Sequence, residues 1–255
     1  MKRVRLVFTD IEDPIIAGAI GQCSDIEVVE AGDVEEAATM VAEGQADALV
    51  SGLNCTSREV ILACRDYLGM TSKTFTSCFV MTKGAETFIV ADVATCKNPT
   101  EDQLYDIVKQ TYETAQVVLD EAPRIAMLSF STLGSGGQDG SIDKIKVVIQ
   151  RVQKDNPKVM IDGEMQLDAA VDLRIGAKKA PASQVAGRAN VLICPDLNSG
   201  NILYKAMEQF GGFVAAGPIL QGFKKPAADL SRGSTVEDVV SVIRIMQKLV
   251  KASRE

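Results

Sequence analysis

Short runs rich in Val, Ile and Leu alternate with longer segments of helical periodicity along the whole chain, and that alternation is what most narrows the folds open to it. Strand, amphipathic helix and strand in succession build a mostly parallel sheet covered by helices. Strands are expected over 4–8, 26–30, 46–51, 74–81, 87–91, 124–129, 158–162, 190–194 and 213–217. Helices are expected over 14–22, 34–43, 57–66, 101–120, 143–153 and 202–210. The C-terminal segment is the clearest helix. Ser234 or Thr235 can cap it, Glu237 and Asp238 sit in its first turn, and Val236, Val239, Val240, Ile243, Met246, Leu249 and Val250 recur on one face. No repeat or low-complexity linker divides the 255 residues, so the expectation is an α/β fold in a single two-lobed body.

Composition removes whole classes of chemistry. The chain has no histidine, which excludes Ser-His-Asp and Cys-His hydrolases, imidazole metal sites and imidazole proton shuttles. A net charge of -7 argues against a nucleic-acid-binding surface. Cys23, Cys55, Cys64, Cys78, Cys96 and Cys194 form no C-x-x-C pair and read as reduced thiols. At the start, Lys2, Arg3 and Arg5 are followed only by Leu6-Val7-Phe8, too short a run for a signal peptide, and no longer stretch would span a bilayer. A cytoplasmic protein without membrane contact is expected.

Two segments combine residues that a plain surface turn does not need. Ser129, Ser131, Thr132, Gly134 and Ser135 lie in a hydroxyl- and glycine-rich loop after an apolar strand, where open α/β sheets bind ligands and exposed amides suit an anion; a flexible turn is the competing reading. It has no Gly-Lys-Ser/Thr ending, so a Walker loop is not supported. The second segment, 229–238, brings Ser231 and Arg232 to the start of the last helix, a ready anion site. Asp238 alone would pass for a capping acid, but capping requires no arginine. Lys178 and Lys179 are by default solvated. Asp162, Glu164, Asp168 and Asp172 match no metal-ligand spacing, and no metal is expected.

Several motifs resemble the phosphate acetyltransferase and phosphate butyryltransferase family. They are Ala177-Lys178-Lys179-Ala180-Pro181, VAGRANVLICPDLNSGNILYK at 185–205, GPILQGFKKPAADLSRGSTVEDVV at 217–240, IAMLSFST at 125–132 and DGEMQLDAA at 162–170, with a weaker match, ADALVSG, at 46–52. The resemblance implies a three-layer α/β/α fold related to the isocitrate and isopropylmalate dehydrogenases, with a cleft between a discontinuous first domain (1–72 plus 223–255) and a second (73–222). It also implies a homodimer. Members transfer an acyl group reversibly between phosphate and coenzyme A, a co-substrate rather than a tightly bound cofactor, and use no metal. Carried over by motif, Asp238 is the general base for the thiol, Ser231 hydrogen-bonds the developing charge, Arg232 neutralises carbonyl oxygen or leaving phosphate, and Lys179 falls on a ligand-binding position.

Departures from the family pattern cluster in the N-terminal third, which is reduced. The family arginine in the helix after VSG falls on Leu62, with Arg58 and Arg65 to either side as substitutes; an earlier arginine falls on Ile15, and a histidine on Asn54 or Cys55. These losses keep two further readings open: a non-catalytic module binding acyl phosphate or coenzyme A, as the family-like part of some malic enzymes does, and an enzyme of this fold with another substrate.

Overall fold

The computed structural model describes residues 3–254, which divide into two compact units, one formed by the chain up to Phe75 and from Val214 onward, the other by Thr76–Phe213. The first unit opens with β1 (Val4–Phe8), α1 (Pro14–Gly21), β2 (Ile26–Glu30), α2 (Val34–Ala42), β3 (Ala48–Ser51) and α3 (Ser57–Ala63), the last continuing as a π-helical turn, Cys64–Leu68. The second holds β4 (Thr76–Lys83), β5 (Glu86–Ala91), α4 (Glu101–Val118), β6 (Arg124–Leu128), α5 (Gly140–Asp155), β7 (Met160–Met165), α6 (Leu167–Val171), α7 (Leu173–Lys179), β8 (Val191–Ile193) and α8 (Leu197–Gln209). The chain then returns to the first unit with β9 (Val214–Gln221), β10 (Ala227–Asp229) and α9 (Val236–Ala252).

In the first unit the strands run in the order β2-β1-β3-β10-β9, parallel except for β9. Val7, Leu49, Ala227 and Leu220 form its core with Ala38 and Val41 of α2, Val60 and Ala63 of α3 and Cys64. Helices α1 and α9 pack on each other in a separate layer, where Gly18 lies against Val236. In the second unit the order is β4-β5-β8-β6-β7, parallel except for the β4–β5 hairpin.

Three short elements escape a periodicity search. Strand β10 has three residues, and α6 and α7 have five and seven, too few to show a repeat. Strand β9 runs through Pro218 to Gln221, four residues past the expected end. The second crossing falls at 213/214 rather than 222/223, because β9 pairs with β10 and packs under α9, which draws 214–222 into the first unit.

Candidate active site

The carboxyl ends of β1, β3 and β10 lie side by side in the first unit, and the loops that leave them carry most of its polar chemistry. Leu230 N donates to Ser51 O at 2.6 Å, so the chain leaving β10 stays in register beside β3. It then turns sharply: Ser234 N donates to Ser231 O at 2.9 Å and Gly233 N to Ser231 Oγ at 3.3 Å. Ser231 is half-buried, whereas Arg232 stands exposed at the tip and forms no ion pair among the described residues.

Thr235 is the cap of α9, and Asp238 completes a capping box with it. Asp238 Oδ2 accepts from Thr235 N (2.7 Å) and Thr235 Oγ1 (2.8 Å), while Oδ1 accepts from Ala215 N of β9 (3.0 Å). The buried carboxylate thus fastens the helix start, and with it the Ser231–Arg232 turn, to the sheet.

The adjoining loops are stitched by short polar side chains. Thr9 Oγ1 and Ser51 Oγ are 2.8 Å apart, and Ser51 Oγ lies 3.7 Å from Cys55 Sγ. Asn54, one of the two residues aligned with the family histidine, donates to Asp10 Oδ1 at 3.1 Å and Asp13 Oδ2 at 3.4 Å. Ile15, where the family pattern has an arginine, lies in the first turn of α1, its amide donating to Asp13. Of the two substitutes, Arg58 is exposed on the first turn of α3 with no ion pair among the described residues, whereas Arg65 lies in the π-helical turn and pairs with Asp66 at 2.7 Å. Arg58 therefore remains available to an anion and Arg65 is already matched.

Asp229 opens the 229–238 segment. Its relative exposure is 1%, neither oxygen has a hydrogen-bond partner among the described residues, and burial pushes its carboxyl up to about 6. No local signal distinguishes it, because what buries it comes from β3 and α3.

The glycine-rich loop of the second unit is not an open cradle. Glu164, fully buried, accepts from Ser131 Oγ at 2.7 Å and Gly134 N at 2.6 Å on Oε1, and its carbonyl takes Leu133 N. The amides of Ser131, Thr132 and Gly136 donate to Ser129 Oγ, Ser135 Oγ and Ser131 Oγ, and those of Ser135 and Gly137 to loop carbonyls. The anion these groups hold is the protein's own carboxylate. Lys179 binds Gln166 Oε1 (2.9 Å) and Asp168 Oδ2 (2.8 Å), and Thr132 Oγ1 reaches the same Gln166 oxygen at 3.2 Å. The acids first considered as metal ligands are dispersed: Asp168 pairs with Lys179, Asp172 caps α7 and Asp162 accepts from Gly163 N. No cluster of three or more acidic or thiol groups suited to a metal occurs among the described residues, and none of their helices is long and apolar enough to cross a membrane.

This α/β arrangement is shared with solved structures. A phosphotransacetylase from Streptococcus pyogenes superposes with a TM-score of 0.87 at 29% identity, covering 98% of this chain and 94% of that one. A Salmonella typhimurium protein described as a 4-hydroxythreonine-4-phosphate dehydrogenase shares the fold alone, with a TM-score of 0.56 at 12% identity over 98% of this chain and all of that one. The class is thus the phosphotransacetylase fold.

The sequence narrows this further, for the phosphate acetyl/butaryl transferase model matches residues 24–247, and the chain belongs to that family. Phosphate acetyltransferases from Clostridium acetobutylicum (49% identical over 65% of this chain) and Treponema pallidum (41% over 82%) are among its relatives. The matches cover 49% and 65% of those two proteins, so the chain spans about half to two thirds of their length.

Proposed function

We propose that this chain transfers an acyl group, acetyl in the first instance, reversibly between phosphate and coenzyme A. The observation that carries this reading is Arg232, exposed and unpaired beside Ser231 at the carboxyl edge of the first unit, on a turn fastened by Asp238. A guanidinium there has no ion-pair partner among the described residues, and it grips a phosphate or an oxyanion through parallel hydrogen bonds.

In this reading Asp238 takes the thiol proton of coenzyme A, the sulfur attacks the acyl carbonyl, Ser231 hydrogen-bonds the developing charge and Arg232 neutralises it. A carboxylate with a free pKa near ~4 is a weak base towards a thiol near ~8.5, so the site has to be dry for the transfer. Asp238 is buried in the first turn of α9. Arg58 supplies a phosphate contact. Arg65 and the second-unit candidates, Ser129, Ser131, Thr132, Gly134, Ser135 and Lys179, are engaged within the protein and receive no direct contact here. The reading also makes coenzyme A a dissociable co-substrate and the protein a cytoplasmic homodimer, the latter checked by its mass in solution.

The test is thioester formation from acetyl phosphate and coenzyme A. Arg232→Ala is expected to lower kcat by about 10²–10³-fold, the scale of losing one stabilising donor. No thioester from acetyl, propionyl or butyryl phosphate would sink the proposal. One observation favours the second reading, a ligand-binding module: Asp10 and Asp13 flank Asn54 where the family pattern has cations. Calorimetric binding of coenzyme A without turnover would establish it.

A further inference from the structure

A general base has to exchange protons with its substrate, yet the carboxylate assigned that task is buried. Its hydrogen bonds show what lies between it and the surface. Asp238 Oδ1 is turned to the sheet, where the amide of Ala215, itself buried, holds it at 3.0 Å. Oδ2 takes both the amide and the hydroxyl of Thr235, at 2.7 and 2.8 Å. A carboxylate oxygen offers two lone-pair positions, so Oδ2 is filled. Of its donors, only the Thr235 hydroxyl can give up one proton and take another.

Thr235 stands on the outer side of that hydrogen bond. It is exposed where Asp238 is not, and it follows directly on the turn that presents Ser231 and Arg232. Its Oγ1 gives a proton to Asp238 Oδ2 and accepts the Asp238 amide at 3.2 Å. A hydroxyl oxygen has two lone pairs, so one acceptor position is left over. Capping the helix uses only the bond from the amide, and asparagine serves there as well. The hydroxyl therefore has a buried carboxylate on one side and an open acceptor position on the other. It also lies at the N-terminus of a 17-residue helix, which favours a negative charge such as a thiolate.

Few charges surround this pair. Among the elements packed on α9, α1, β9 and β3 contain no titratable residue. β1 carries Arg5 at its amino end, paired with Asp47, and β10 carries Asp229 on the sheet face shared with Ala227, towards α2 and α3. The charged neighbours on the segment itself are Arg232 and Glu237, and the cations of α9 begin at Arg244, more than a turn further along.

We propose that Thr235 is the proton relay between the thiol of coenzyme A and Asp238. In the forward direction the thiol proton passes to Thr235 Oγ1 while the hydroxyl's own proton passes to Asp238 Oδ2. The sulfur electron pair forms the C–S bond, and the C–O bond to phosphorus breaks with its electrons on the phosphate oxygen. Asp238 leaves the step protonated and returns that proton to water through the same hydroxyl. In the reverse direction the relay carries a proton from Asp238 to the departing thiolate. Asp238 thus acts without touching sulfur, and Thr235 is the group that meets the substrate. This inference rests on the acyl-transfer reading.

The experiment follows kcat for thioester formation in the full chain, Thr235→Asn and Thr235→Ser, from neutral pH to beyond the thiol pKa near ~8.5, with melting curves to confirm folding. Asparagine keeps the cap but has no hydroxyl to pass a proton. At neutral pH Thr235→Asn is expected to lose about 10²–10⁴-fold in kcat, the usual weight of a proton-transfer group, with the KM for acetyl phosphate little changed. Thr235→Ser, which keeps the hydroxyl, should retain activity. The deficit of Thr235→Asn should close as pH rises through the thiol pKa, because a thiolate brings no proton to be moved. In mixtures of H2O and D2O the single-turnover rate of the wild type should bend below a straight line, the mark of two protons moving together. Full activity in Thr235→Asn, a deficit independent of pH, or a straight line overturns the relay while acyl transfer stands. Absence of thioester from the wild type at every pH overturns the acyl-transfer reading itself.

Discussion

Each unit carries a buried carboxylate at or next to the carboxyl end of a strand, and the two behave in opposite ways. Asp229 in the first unit has no donor and is pushed up to about 6. For Glu164 in the second, burial also pushes upward, but the Gly134 amide, the Ser131 hydroxyl and Lys146, whose Nζ is 4.0 Å from Oε2, outweigh it and hold the group below the usual range. Exposure is 1% in one case and 0% in the other, so contact with water does not separate them. Depth and donors do: Asp229 lies deeper and is raised by burial, whereas at Glu164 the donors outweigh burial. Charge-assisted hydrogen bonds hold the Glu164 carboxylate ionised in its loop, whereas burial without them favours the protonated form of Asp229.

The largest effect should come from cutting the framework side of this contrast. Glu164→Ala removes the acceptor of the Ser131 hydroxyl and the Gly134 amide and is expected to cost about 3–6 kcal/mol, taking about 1.5–3 for each bond to a charged acceptor. Denaturant unfolding at neutral pH measures it, and a loss below about 1 kcal/mol would end the contrast. For the wild type, the depressed Glu164 contributes stability that is complete above its unfolded pKa and is lost as pH falls through the lower folded one.

Asp229→Asn should shift stability the other way. A raised folded pKa means the native state is penalised as pH rises from about 4 to about 6, because the unfolded chain gives up its proton first. Removing the charge is therefore expected to gain about 1–3 kcal/mol at pH 7.5 and almost nothing at pH 4. A gain independent of pH would show that the carboxylate is not the cause.

The smallest change is expected at Lys179. Its side chain and that of Asp168 are 35% and 47% exposed, so Lys179→Ala should alter stability by less than about 1 kcal/mol, and less again at high salt. A larger loss would mean that the link from Lys179 through Gln166 to Thr132 braces the Glu164 loop.

Much of this was legible in the residues. Thr235 and the acids after it announce α9 because capping is settled within four residues. The alternation of strands and helices shows through for the same reason, and the 229–238 segment stands out because an arginine has no place in a cap. The hydroxyls and glycines of the 129–137 loop read locally as an anion cradle, and the structure adds Glu164, 33 residues beyond Ser131, which accepts from the Ser131 hydroxyl and the Gly134 amide. Arg58 and Arg65 look equivalent in sequence, yet only one of them stands beside an acid that holds it.

The sequence alone determined the α/β alternation, the absence of imidazole chemistry and the motifs shared with the phosphate acetyl/butaryl transferase family, because each is set by residue identity and near neighbours. The tertiary structure decided which carboxylate is clamped and which is bare, and which arginine is available. Protonation depends on desolvation and on donors brought from distant parts of the chain, which a local run of residues does not possess; the Arg65–Asp66 pair, between neighbours, is decided by how the two side chains are placed on one turn.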